Sequence, residues 1–211
     1  SPDLTRLPRF VDPARVSTPR VMYPEPGPVV VTLGAIESHR RFRLQPLRFA
    51  SPGRLPVEIP HFSPDAWTHA TLYQPLEPPY TGQRGTVVLA HGGFLGVQPG
   101  GGDLRPYQRW MLELNRVGLN AVLFELPRHL SRTPDGHFSG QRFLSGDLLE
   151  TIDVLCHAVM ELEALIEWLD AQGLGPVGLL GMSLGGLTSV NLLSVCARLQ
   201  AAVLLAPVPD A

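Results

Sequence analysis

The feature that most restricts how this chain can fold begins at Gly85. From there the text alternates: "TVVLAHGG" reads as a strand, "PYQRWMLELNRVG" as a helix and "NAVLFELP" as a strand. A long helix follows, then "VGLLGMS" as a strand, another helix, and "AAVLLAPV" as a strand. Runs such as "TVVLA" and "AVLF" are apolar without alternation, as strands covered on both faces must be, and strand–helix–strand crossovers join parallel neighbours. The expectation is an α/β fold with a mostly parallel central sheet flanked by helices. In the long helix, Leu148, Ile152, Leu155, Val159, Leu162, Ile166 and Leu169 recur at steps of three and four. Asp147 and Glu150 suit a capping box, Gly173 can supply the left-handed stop, and one stripe is expected to lie on the sheet.

The first third reads differently. Fifteen of the 22 prolines precede residue 80, which breaks this part into short extended pieces near a sheet edge. Residues 29–35, 40–49 and 69–76 are the candidate strands. The chain of 211 residues is taken as one domain, with a Pro-rich extension and edge strands over 1–68 and the alternating part over 69–211.

Composition narrows the partners. A formal net charge of -2 offers no electrostatic footprint for nucleic acid. All 17 basic residues are Arg, which is read as codon bias rather than as guanidinium recognition. No apolar stretch approaches the roughly 18 residues of a membrane span, and "SPDLTRLPRF" lacks a signal peptide's apolar segment. Cys156 and Cys196 each fall in a helical stretch without metal-ligand spacing, so buried free thiols and a cytoplasmic location are expected. The scattered histidines form no metal-binding pattern, no cofactor is required, and a homo-oligomer is compatible with this reading.

The chemistry concentrates in "GLLGMSLGGLTS", residues 178–189. Gly181-x-Ser183-x-Gly185 falls where a buried strand gives way to a helix. Glycines two places before and after the serine let neighbouring backbone pass close, while the serine takes a strained conformation that exposes its hydroxyl at the sheet's carboxyl edge. The helix from Leu184 aims unpaired amide hydrogens at the same spot, where negative charge on a substrate oxygen would be stabilised. The pentapeptide alone would equally serve as a plain loop or a phosphate-cradling turn, but it lacks the Lys and spacing of a P-loop.

With these residues in view, the sequence resembles the α/β-hydrolase superfamily. A second motif, "VVLAHGGF" over 87–94, is similar to that superfamily's third strand and its His-Gly oxyanion loop. The resemblance covers residues 69–211. It implies that Ser183 is the nucleophile, that backbone N–H groups of Leu184 and of Gly93 or Phe94 receive the oxyanion, and that His91 is structural. "FELPRHLSRTPDGH", 124–137, departs from the superfamily's D-x-R-G-x-G-x-S pattern. Glu125 stands near the place of the Asp, while Pro127, His129 and Leu130 replace glycines. Arg128, His129 and Arg132 either bind an acidic substrate group or belong to a solvated loop tied down by salt bridges, and the second reading is preferred.

In this superfamily the acid and then the histidine follow the serine. Here no histidine follows Ser183, and Asp210 is the one carboxylate side chain that does, which makes it the candidate acid. His61, His129 and His137 are candidate improvised bases without a spacing that favours any of them. Two explanations compete. Either the chain is the amino-terminal part of a larger hydrolase lacking its C-terminal strands, which is preferred because the last strand would be a bare edge, or it is a catalytically degenerate member used for binding or assembly. The expected activity is cleavage of a small-molecule acyl substrate, an ester by default, through an acyl-enzyme on Ser183. Tyr107, Trp110 and Phe143 either line a pocket or pack in the core, and packing is preferred. The glycine-rich stretch 94–103 is expected to be a mobile loop at the crevice mouth.

Overall fold

The computed structural model describes residues 18–52, 66–76, 85–93 and 104–205. Their backbone forms one eight-stranded sheet. In chain order the strands are β1 (Thr32–Leu33), β2 (Glu37–Ser38), β3 (Phe42–Ala50), β4 (Trp67–Pro75), β5 (Thr86–Ala90), β6 (Asn120–Phe124), β7 (Val177–Met182) and β8 (Leu199–Leu205). The helices are a single turn, α1 (Pro19–Met22), then α2 (Arg105–Arg116), α3 (Leu148–Ala171) and α4 (Leu184–Leu193). Spatially the strands run β1-β3-β4-β6-β5-β7-β8, with β2 also on β3.

The expectation of a mostly parallel sheet needs correcting. Three pairings are parallel, β5 with β6, β5 with β7, and β7 with β8. Four are antiparallel, β1 and β2 with β3, β3 with β4, and β4 with β6. The reason lies in the connections. Parallel neighbours require a long crossover, which the helical units after Gly85 provide, whereas the proline-broken first third holds only short segments that fold back on themselves. Of the first expected strand, 29–35, only Thr32–Leu33 is regular; the other two candidates became β3 and β4.

Helices cover both faces. On one, α3 and α4 pack Leu162, Leu165, Ile166, Leu169 and Leu192 against Phe49, Leu72, Val88, Val122 and Phe124. On the other, Tyr107 and Met111 of α2 meet Leu89, Ala121 and Leu123. Val88 and Leu89 thus face opposite layers, which is why "TVVLA" had to be apolar throughout. β6, between β4 and β5, is buried at every position, while β8, at the end of the strand order, is largely exposed.

Asp147 caps α3 by accepting from Leu149 N–H at 2.9 Å, and Gly173 takes φ +70° beyond the helix's end, both as expected. Glu150 does not reach back as in a capping box; it pairs with Arg142 at 2.7 Å. Nor does α3 bury a single stripe. Sixteen of its 24 residues are buried, because the loop after β6 and the α1 turn meet it as well as the sheet. Arg132 and Arg20 hold Glu161 and Glu163 there. Cys156 and Cys196 are both buried free thiols, and burial pushes the Cys156 thiol up to about 12. No helix among the described residues is long and apolar enough to cross a membrane.

Candidate functional site

Ser183 occupies the turn between β7, an inner strand, and α4. Its φ of 51° and ψ of −114° fall outside the regions an L-residue favours. Neighbours on both sides hold it there. Its N–H donates to Leu205 O of β8 at 2.9 Å, and its carbonyl accepts from Leu187 N–H at 3.0 Å. The hydroxyl makes no capping bond to the helix it precedes, and the residue is half-buried. The side chain therefore stands apart from the backbone ladder at the carboxyl end of the parallel strands.

Crowding explains the flanking glycines. A Cβ on Gly181 would lie 2.8 Å from Gly185 O and run into the Ser189 hydroxyl. One on Gly185 would strike the Ala90 carbonyl and stand 2.5 Å from His91 O. Both gaps are closed by backbone, which cannot swing aside as a flexible side chain can. The spacing of these glycines thus follows from two close passages, one between β7 and α4 and one between α4 and the end of β5.

That second passage brings residues 91–93 to the serine. A Cβ on Gly92 would lie 3.5 Å from Ser183 Cβ, and one on Gly93 would lie 3.3 Å from Leu184 Cδ2. Gly93 and the Leu184 side chain are thus neighbours across the turn. Phe94 and Asp210 lie outside the described residues, as do His61 and the stretch 94–103.

His91 holds this strap in place. Its Nε2 accepts from Leu126 N–H at 3.2 Å, which puts the ring proton on Nδ1, where it donates to Gly92 O at 2.7 Å. The ring is fully buried, and burial, with His129 and Arg132 nearby, pushes its pKa down to about 3. With both nitrogens engaged, His91 joins the loop after β5 to the loop after β6.

That second loop is tied down by a salt bridge, as the preferred reading has it, and is exposed at Ser131 and over 135–138, but its anchoring end is buried. Arg132 reaches Glu161 of α3 through two bonds of 2.7 and 2.8 Å, with both side chains almost wholly buried, and also donates to Glu125 O at 2.8 Å. Ser51 Oγ completes the Glu161 carboxylate at 2.5 Å. His129 is buried between His91 and Phe143, its Nδ1 2.8 Å from Pro127 O. Glu125 is used locally, its Oε2 accepting from Ser131 N–H and Oγ. Arg128 is half-buried at φ 63° beside Asp153, whose pKa burial raises and Arg128 lowers. His137 is exposed. No histidine among the described residues hydrogen-bonds the Ser183 hydroxyl, and no group of three or more His, Cys, Asp or Glu there could hold a metal ion.

Phe143 packs in the core as expected, while Tyr107 does more than pack. Its hydroxyl accepts from Gly92 N–H at 3.1 Å and donates to Met182 Sδ at 3.6 Å. Nothing in the sequence links position 107 to positions 92 and 182; only the packing of α2 against the sheet does.

A partly exposed hydroxyl at a helix N-terminus, with a glycine strap beside it, can attack an electrophilic centre and leave the resulting negative charge among backbone amides. The comparisons with known proteins bear on the fold and the family. Two uncharacterised proteins of Mycobacterium tuberculosis, from strains CDC 1551 / Oshkosh and ATCC 25618 / H37Rv, are each 33% identical over 128 residues, 60% of this chain and 30% of theirs. A Bacteroides fragilis NCTC 9343 protein assigned as an acetyl xylan esterase superposes with a TM-score of 0.64 at 18% identity, over 89% of this chain and 50% of its own. Acetyl xylan esterase 1 of Thermoanaerobacterium sp. JW/SL YS485 does so with 0.58 at 13% identity, over 92% and 59%. The chain thus spans about half the length of these solved structures, which share its fold, and about a third of the curated relatives. Residues 28–208 match the family described as "Alpha/beta hydrolase domain containing 18", and the chain belongs to that family and so to the α/β-hydrolase superfamily.

Proposed function

We propose that the protein is a serine hydrolase that cleaves a carboxylic ester through an acyl-enzyme on Ser183. The observation that carries this reading is the φ of 51° at Ser183, held between an inner strand and a helix with Gly92 and Gly93 packed against it. Strain of this kind costs on the order of 1–3 kcal/mol and persists only where the surroundings enforce it. A serine that merely capped a helix would bond its hydroxyl to that helix, and this one does not.

In the proposed reaction Ser183 Oγ attacks the ester carbonyl carbon as its proton passes to a base. The carbonyl electrons move onto oxygen, which the N–H groups of Leu184 and of Gly93 or Phe94 hold. Collapse of this intermediate breaks the bond to the alcohol, which leaves with the base's proton, and water repeats the sequence on the acyl-enzyme. An ester fits because an alkoxide is expelled more readily than an amine, and both superposed structures are named as esterases. His91 is not the base in this scheme, since its two nitrogens already hold Gly92 and Leu126. The base is assigned to the part of the fold that the longer relatives have and this chain does not span, and Asp210 is the candidate acid.

One observation favours a second reading, a binding or assembly module: the Ser183 hydroxyl has no histidine partner among the described residues. Incubating the full-length protein with a fluorophosphonate and locating the adduct by mass spectrometry separates the two. The hydrolase reading expects modification at Ser183, absent in Ser183→Ala, together with a loss of ester hydrolysis of at least about 1000-fold. A full-length protein left unmodified would overturn it.

A further inference from the structure

Tyr107 stands third in α2, on the opposite face of the sheet from the long helix. Its ring packs with Leu89, Met111 and Leu123 and stands edge-on to His91, 6.3 Å between centroids. A phenylalanine would fill that volume as well. What distinguishes the tyrosine is an oxygen with two partners, Gly92 N–H at 3.1 Å and Met182 Sδ at 3.6 Å. Gly92 immediately precedes Gly93, and Met182 immediately precedes Ser183 and Leu184. One hydroxyl therefore joins the two backbone segments whose amides are the proposed oxyanion donors.

The joint has little slack. A Cβ on Gly92 would lie 3.2 Å from Tyr107 Oη, 3.5 Å from Ser183 Cβ and 3.7 Å from Met182 O. The bond also sorts the donors. The Gly92 amide, buried and turned toward the phenol, is already in use, so the strap's contribution to an oxyanion passes to the next described amide, Gly93. His91 fixes the Gly92 carbonyl from one side and Tyr107 its N–H from the other, so both polar groups at that position are held by side chains.

We infer that Tyr107 is a positioning residue that sets the separation of the strap and the serine turn, and through it the spacing of the two oxyanion donors. The inference rests on the hydrolase reading. Donors act on the transition state only when aimed at the developing charge, and a displacement of about 1 Å can cost about 100-fold in rate.

The test uses full-length protein, p-nitrophenyl acetate as probe ester, and amide hydrogen exchange at Gly92. Tyr107→Phe is expected to lower kcat by about 10- to 100-fold with KM within about twofold. It should also speed exchange at Gly92 while β5 and β6 stay protected. Gly92→Ala, which drives a methyl into the same joint, is expected to give the same split between kcat and KM. Wild-type kcat in Tyr107→Phe would overturn the inference. So would unchanged exchange at Gly92, or a rate loss accompanied by exchange throughout the sheet, which would mark a merely structural tyrosine. An inert wild type unmodified by fluorophosphonate would instead remove the hydrolase reading and the catalytic half of this inference. The Gly92 amide would still decide whether Tyr107 holds the strap.

Discussion

At Gly185 the demands of chemistry and packing coincide. Its Cα passes so close to the Ala90 and His91 carbonyls that a single methyl has nowhere to go. Overpacking in a well-filled interior commonly costs 1–3 kcal/mol, and here the obstacle is backbone in a central strand. Gly185→Ala should therefore destabilise by about 3 kcal/mol or more, read as a lowered urea midpoint, whereas Gly136→Ala, whose Cβ meets nothing within 4 Å, should cost less and only through its φ of +77°. The serine and its two glycines were legible in the sequence because the strand, the turn and the helix follow one another there, and local spacing encodes local crowding. The Tyr107 hydroxyl was not. An aromatic residue among Arg, Pro, Gln and Trp reads the same whether its oxygen meets water or the end of another strand, and only tertiary packing decides which.

At the level of elements, α3 is where expectation and structure part most clearly. Its cap and its stop were readable from Asp147 and Gly173, but only one stripe was expected to be buried. Glu161 and Glu163 are instead buried, each met by an arginine from another part of the chain. Long-range pairing of this kind leaves no periodic trace, so a buried Glu and a solvated one look alike in sequence. The energetics follow from desolvation. Removing one member of a buried pair leaves a bare charge and costs about 3–5 kcal/mol, while replacing both with apolar residues of similar size is often neutral or better. Arg132→Met should fall in the costly range, and Arg132→Met combined with Glu161→Leu should recover most of the loss. The Ser51 hydroxyl, which would lose its carboxylate partner, limits that recovery. Denaturant titration of the two single variants and the double variant gives the coupling directly.

For the molecule as a whole, His91 ties together loops from two parallel strands and makes stability depend on pH. The folded chain holds the imidazole neutral down to about 3, while in the unfolded chain it titrates near the ordinary histidine value of 6.5. Between those values the unfolded state carries the extra proton. The contribution is therefore complete above about pH 6.5 and is lost as the pH falls toward 3, at up to about 1.4 kcal/mol per pH unit. His91→Gln, which keeps a donor and an acceptor, should flatten the slope of the urea midpoint between about pH 6.5 and 4, whatever it does to stability at neutrality. The sheet itself was half legible. Unbroken apolar runs announced the parallel strands, but the handover to antiparallel pairing at β4 depends on how proline-broken segments turn back, which composition indicates without fixing direction. The bond from Ser183 N–H to Leu205 O carries one more implication. Because the strained turn is anchored on a strand made after it, residue 205 must leave the ribosome before the backbone at Ser183 can be pinned in this way.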